Sequence, residues 1–137
     1  MTGPTAAQYE LEVTVGPGDL DDQAHVNNVV YVQWVLSAAT SHWEALTSPA
    51  IRAEVAWVLL RHEIDYHAPA RLGDRVVVRT RVGHLQGLTF ERLTEVRAAD
   101  GRALASSRTL WCPVDPRTGR PRRVSAELRA LFSVGGP

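Results

Sequence analysis

The chain has 137 residues, 45% of them apolar and 22% charged. That describes one folded domain with a core of its own, neither a disordered chain nor a membrane-spanning one. Fifteen basic residues balance fifteen acidic ones, and every basic one is arginine. No global positive field supports nucleic-acid binding, and no lysine is present for an imine or a phosphate loop. Any anionic ligand must be met by arginine, backbone N–H groups or helix ends. The single cysteine, Cys112, excludes an internal disulfide and a multi-cysteine zinc site, and makes cytoplasm the default compartment. The first ten residues have no basic segment leading into an apolar run, so no signal peptide is expected. No run reaches the ~18–20 apolar residues of a membrane helix.

Residues 1–8 are small and polar and are expected to be loose, as are 133–137. From Tyr9 the chain alternates, with Leu11, Val13 and Val15 apolar and Glu10, Glu12 and Thr14 polar, a strand with one buried face. Gly16-Pro17-Gly18 ends it. After a polar loop, Tyr31, Trp34, Val35, Ala38, Ala39, His42, Trp43 and Leu46 recur at helical spacing. Val29, Val30, Val32 and Leu36 add apolar side chains on other faces, so this helix, from about Val29 to Leu46, should be surrounded. Ser48-Pro49 closes it, and residues 50–56 form a short second helix.

A strand runs from Trp57 to about His67, and Gly73-Asp74 is a turn. Arg75 to Val82 alternates, with Arg75, Arg79 and Arg81 on the solvated side. Leu88 to Arg97 is a further strand, and Asp100-Gly101 a two-residue hairpin loop. Ala103 to Val114 is the last strand, and Ser125 caps a C-terminal helix with Leu128, Leu131 and Phe132 inward. The order predicts a single α+β domain: about five antiparallel strands wrapped around one long helix. No repeat or second domain is evident.

Asp19 to Asn28 holds the chemistry: Asp19, Asp21, Asp22, His25, Gln23, Asn27 and Asn28, just before the buried helix. Unpaired N–H groups at a helix N-terminus can hold a developing oxyanion beside a carboxylate. The plain structural alternative is that these are turn and cap residues, with Asn27 or Asn28 capping the helix. His42 on the helical stripe reads as a hydrogen-bonded core histidine, and Cys112 as a buried filler. His62, His67 and His84 lack metal-ligand spacing.

The run D-L-D-x-x-x-H-V-N-N-x-x-Y-x-x-W, Asp19 to Trp34, resembles the acyl-thioester hydrolases of the hotdog fold. It is similar both to the hydroxybenzoyl-CoA thioesterase family and to the acyl-acyl-carrier-protein thioesterases. Glu63-Ile-Asp65-Tyr66 with Pro69, and Leu104 to Pro121, extend the resemblance over about residues 9–130. It implies hydrolysis of an acyl-CoA thioester to free acid and CoA, with Asp21 as general base or nucleophile and the backbone at Asn28 as oxyanion donor. The carrier-protein branch implies a set of Asp21, Gln23 and His25, with an acidic position near His67 or Glu63. Asn27, Tyr31 and Trp34 are candidate substrate contacts, Trp34 being equally a core residue. The glycine usual before His25 is replaced by Ala24.

Basic residues usual before the Thr-Phe of the fourth strand are missing from 83–90, so Arg122 and Arg123, with Arg61 and Arg120, are the candidates for CoA phosphates. The resemblance implies no metal or redox cofactor, coenzyme A entering as part of the substrate. It implies a homodimer or tetramer, with Asp21 of one chain facing Glu63 or His67 of the other. Alternatives are a carrier-protein thioesterase of lipid or polyketide metabolism, and a non-catalytic subunit that binds acyl thioesters.

Overall fold

The computed structural model describes residues 7–132, so the expectation for residues 1–6 and 133–137 lies outside it. The elements are β1 (Gln8–Thr14), a 3-10 turn (Pro17–Asp19), α1 (Asn28–Leu46), α2 (Pro49–Glu54), β2 (Ala56–Tyr66), β3 (Arg75–Gln86), β4 (Thr89–Ala98), β5 (Ala103–Val114) and α3 (Ala126–Phe132). The five strands form one antiparallel sheet in the order β1-β3-β4-β5-β2. α1 packs on its inner face, and β2 lies at one edge. The ordered chain starts earlier than expected, since Gln8 pairs with Arg81 and the Ala7 carbonyl accepts from Val82.

The period-2 patterns decide which side chains face α1. Val76, Val78, Thr80 and Val82 of β3 and Phe90, Arg92, Thr94 and Val96 of β4 are buried. Arg75 and Arg79 lie on the outer face and pair with Glu12 and Glu10 of β1. One core cluster gathers around Tyr31, Trp34 and Val35. A second, largely aromatic one joins Trp43, Phe90 and Phe132 of α3. α3 is held as expected, Ser125 Oγ accepting from Leu128 at 3.1 Å. Ser48-Pro49 both ends α1 and starts α2, with Ser48 Oγ accepting from Ile51 at 3.3 Å and Pro49 in the first turn.

Two expectations are corrected. β3 continues past Val82 to Gln86 because Gly83 and His84 form a bulge, after which Leu85 turns inward. That extra step breaks the alternation by which a strand is recognised. The β4–β5 hairpin has a three-residue loop: Ala98 N–H donates to the Arg102 carbonyl at 2.9 Å, and Gly101 N–H to Ala98 at 2.9 Å, with Gly101 at φ 96°. The sheet wraps α1 as expected and leaves its far side open, with Val29 61% exposed and Val32 and Leu36 half-buried.

The bulge holds a buried carboxylate on the outer side of the sheet. Glu91 accepts from His84 N–H at 3.1 Å and pairs with Arg108, which also reaches Glu63 at 3.0 Å. Burial works against the charge of Glu91, yet Arg108 and the His84 N–H keep its carboxyl below its ordinary range. A methyl group at Gly83 would come within 2.9 Å of Glu91 Cδ. Gly83→Ala should therefore displace Glu91 from both partners and destabilise the fold by about 1–3 kcal/mol, read as a lower thermal midpoint.

Candidate active site at the start of the long helix

Residues 19–27 form a pinned loop. Leu20 and Val26 make an isolated bridge, Asp21 N–H donates to the His25 carbonyl at 2.7 Å, and Ala24 N–H to Asp21 at 3.2 Å. Asn27 N–H donates to Asp19 and Val26 N–H to Ala70, which tie the loop to both neighbours. This is the same three-residue hairpin loop as at Ala98–Arg102, with Ala24 (φ 61°) where the other has Gly101. Such loops close on a left-handed residue, which favours glycine.

The turn holds Asp21 in place. Its Oδ1 accepts from Gln23 N–H at 2.8 Å and from His25 N–H at 3.1 Å, while Oδ2 has no partner among the described residues. Asn27 is the cap of α1: its Oδ1 accepts from Val29 at 3.0 Å, and its carbonyl from Val30 at 2.9 Å. The N–H of Asn28 meets no acceptor among the described residues. Asp21, His25, Asn28, Tyr31, Tyr66 and His67 share the wall of an open cavity of about 260 Å3. It therefore combines a fixed carboxylate, a free helix N–H and two imidazoles.

The remaining candidates fall elsewhere. Tyr31 borders the cavity, but its hydroxyl accepts from the buried Ala70 N–H at 2.8 Å, and burial pushes the phenol above its ordinary pKa. Its role is to tie the loop after β2 to the helix. Trp34 is buried against Tyr31, in the core rather than the cavity. Gln23 is exposed and contributes its N–H to Asp21, its side chain forming no part of the cavity wall. Asn27 is used as a cap. Glu63 faces outward, pairing with Arg61 and Arg108. His67 stands on the same chain's cavity as Asp21, bonded through Nε2 to Ser106 Oγ at 3.0 Å, so no second chain is needed to bring it there.

Arg122 lies beside the start of β2, its N–H donating to Pro113 and its guanidinium to the Glu54 carbonyl. β2 spans about 30 Å from Trp57 to Tyr66 at ~3.3 Å per residue, so Arg122 and its neighbour Arg123 are remote from Asp21 within one chain. Tyr66 was not among the candidates. Its hydroxyl donates to the Asn28 carbonyl at 3.2 Å and its ring packs on Tyr31. The signal was its phase on β2, in step with His62 and Ile64 on the side facing α1. His62 Nε2 lies 2.7 Å from Ser107 Oγ, and burial lowers its pKa. No three His, Cys, Asp or Glu among the described residues gather to hold a metal.

An antiparallel sheet around one long helix, with a fixed carboxylate beside that helix's N-terminus, defines the hotdog class of α+β domain. Within that class, the chain belongs to the thioesterase-like superfamily, whose profile matches residues 15–132. It is 27% identical over 127 residues to the acyl-CoA thioester hydrolase YbgC of Escherichia coli, covering 90% of this chain and 95% of that one. A thioesterase from Thermus thermophilus, solved with coenzyme A and zinc, superposes with a TM-score of 0.81 at 26% identity, over 90% of this chain and 96% of that one. The 12:0-acyl-carrier-protein thioesterase of Umbellularia californica shares the fold, with a TM-score of 0.79 at 16% identity, over 91% of this chain and 49% of that one.

The paired hairpin loops provide a direct test of the strain at Ala24. Ala24→Gly should stabilise the protein by about 0.5–1 kcal/mol, because glycine removes the Cβ penalty of the left-handed region. Gly101→Ala should shift the thermal midpoint the opposite way.

Proposed function

We propose that this protein hydrolyses an acyl-CoA thioester to the free acid and coenzyme A. The observation that carries the reading is Asp21, anchored through Oδ1 with Oδ2 left free, beside the unpaired N–H of Asn28 in one cavity. As general base, Asp21 takes a proton from a water whose oxygen attacks the thioester carbonyl carbon. The carbonyl oxygen becomes an oxyanion on the Asn28 N–H at the positive end of α1. The tetrahedral intermediate collapses with loss of the thiolate, which is protonated to the thiol. As nucleophile, Asp21 would instead form a mixed anhydride that water then opens. Single turnover in 18O-labelled water tests the second route: label in the enzyme's carboxylate, left when water attacks the aspartyl carbon of the anhydride, establishes Asp21 as nucleophile. The thiolate leaves readily, so the reaction needs no stronger electrophilic aid. His25 and His67 line the cavity and are proposed to contact the substrate, with Tyr31 and Tyr66 as wall.

We further propose that the working unit is a dimer built on β2, in the cytoplasm. The support is physical. β2 is an edge strand of eleven residues with exposed Val58, Leu59, Leu60 and Tyr66, and Val29 of α1 is exposed beside the Tyr66 end. Unpaired edges with apolar side chains invite a second strand. Antiparallel pairing of two β2 strands sets the start of one against the end of the other. The partner's arginines at the start of β2, Arg122 among them, would then approach the Asp21 cavity and serve the CoA phosphates.

Asp21→Asn should keep the fold and reduce thiol release from acyl-CoA roughly 100- to 10,000-fold. Unchanged turnover would remove Asp21 from the mechanism. Binding of acyl-CoA by the unaltered protein without thiol release would favour a non-catalytic subunit. A large preference for matched acyl-carrier-protein substrates would move the reading to the carrier-protein branch. For the dimer, sedimentation should give twice the chain mass at micromolar concentration, and Leu60→Glu should yield monomers with reduced turnover. A monomeric, fully active wild type would overturn this arrangement.

A further inference from the structure

A second cavity lies toward the C-terminal end of α1, between that helix, the sheet and α3, with a volume of about 80 Å3. It starts at Ala39, about 17 Å along the helix axis from Asn28 at ~1.5 Å per residue, and shares no residue with the Asp21 cavity. Its walls are Trp43, Trp57, Phe90, Trp111 and Phe132, and Arg92 reaches into this aromatic box from β4. We propose that it binds a small apolar carboxylate, with Arg92 as its counter-ion.

Arg92 is only 4% exposed. Its Nη1 donates to His42 Nδ1 at 3.0 Å and to Thr80 Oγ1 at 3.2 Å. Its guanidinium carbon lies 5.4 Å from the centre of the Phe90 ring and 5.6 Å from that of Phe132. Among the described residues, no carboxylate comes within ion-pair distance, and Nε and Nη2 find no acceptor. Yet no described side-chain nitrogen or oxygen that is sealed from solvent lacks a partner. The two unpartnered nitrogens are therefore not sealed from solvent, and Arg92 lines this cavity. Burial pulls the Arg92 pKa down to about 10, which still leaves it cationic at neutral pH.

The shape of the vacant donor pair selects the ligand. Nε–H and Nη2–H are two parallel donors on one edge of a guanidinium, the arrangement that grips both oxygens of a carboxylate. A buried cation without a counter-ion gains most from an anion. The aromatic walls suit a hydrocarbon remainder, and cation–π contact keeps the guanidinium plane in place. Size limits that remainder: a cavity of ~150 Å3 holds a benzene, so this one takes a few carbon atoms. The site goes beyond the proposed hydrolysis, because it uses neither Asp21 nor α1's N-terminus. The carboxylate has two possible sources, a free short acid or the distal end of a longer acyl group.

Titration of the full chain with acetate and with its neutral analogue acetamide, which match the small volume, tests the site. Occupancy is read from tryptophan fluorescence, since Trp43, Trp57 and Trp111 line the cavity, and from calorimetry. The acid should bind at least about tenfold more tightly than the amide, because only the acid offers two charged acceptors. Arg92→Met should erase that difference while keeping a thermal midpoint equal to or above that of the wild type. Equal affinity for acid and amide in the wild type, or a preference that survives in Arg92→Met, overturns the proposal. The first of these is read on the unaltered protein and decides the matter even where the variant does not fold. Thiol release from hexadecanedioyl-CoA, whose acyl group is long enough to span the two cavities and ends in a carboxylate, in the presence of acetate distinguishes the sources: competition assigns the cavity to the end of the acyl group, and its absence assigns it to a free acid. The binding arm does not depend on hydrolysis, so failure of one reading is distinguishable from failure of the other.

Discussion

A nineteen-residue helix that is apolar on more than one face is covered here by a single five-stranded sheet. This mismatch governs the molecule. The inner face of the sheet takes Tyr31, Trp34, Val35, Ala38, Ala39, His42 and Trp43. Val29 and the apolar residues of β2 are left facing out along the same side. Of this surplus, Val29 and Tyr66 lie at the cavity containing Asp21, so whatever covers them also changes the dielectric in which that carboxylate works. In the proposed dimer, burial of that surface and completion of the site are one event, so dimerisation and turnover are expected to fail together.

The position of the carboxylate follows from loop geometry rather than from ion pairing. Asp21 faces two backbone N–H groups and no arginine within ion-pair distance among the described residues. Those two bonds restrict its rotation, and the Asn27 and Val26 N–H groups, donating to the Asp19 and Ala70 carbonyls, tie the loop to the 3-10 turn and to the segment after β2. The cap at Asn27 occupies the Val29 N–H and leaves that of Asn28 free, so a single asparagine separates a structural donor from an available one. The left-handed residue on which this geometry turns is an alanine. Strain at Ala24 is therefore concentrated one residue from His25 and three from Asp21, where loop precision matters most.

Much of this was legible in the chain. Alternation in β1 and β3 and the helical stripe of α1 pointed to the fold, and the cluster of acids and amides before that helix, with the resemblance carried by Asp19 to Trp34, pointed to the loop. Three kinds of information were not. A bulge hides a strand's continuation, as at Gly83-His84, because two residues then oppose one and the period slips. The partition of a polar cluster into cap, anchor and free group depends on distances that spacing does not encode. Asn27 and Asn28 are chemically alike, and only the fold makes one a cap and the other an open donor. Finally, residues far apart in the chain acquire roles through pairing, as Tyr66 does by reaching the Asn28 carbonyl across 38 positions.

Arg92 is the sharpest case of a local pattern running against expectation. On β4 it is in phase with Phe90, Thr94 and Val96, which is a strand's buried face, and arginine is among the residues least often buried without a partner. If stability were the only demand on this position, an apolar side chain of the same length would serve better, since it would carry no desolvation penalty. Thr80 and His42 mitigate the penalty through Nη1 alone. Two phenyl rings flank the guanidinium, and Arg92 lines a cavity into which its other edge is proposed to open. A fold that keeps a charge there, half satisfied, and walls it with tryptophan has the features of a receptor rather than of a core. The absence of lysine sharpens the point, because a flexible ammonium could not present two parallel donors from so confined a position.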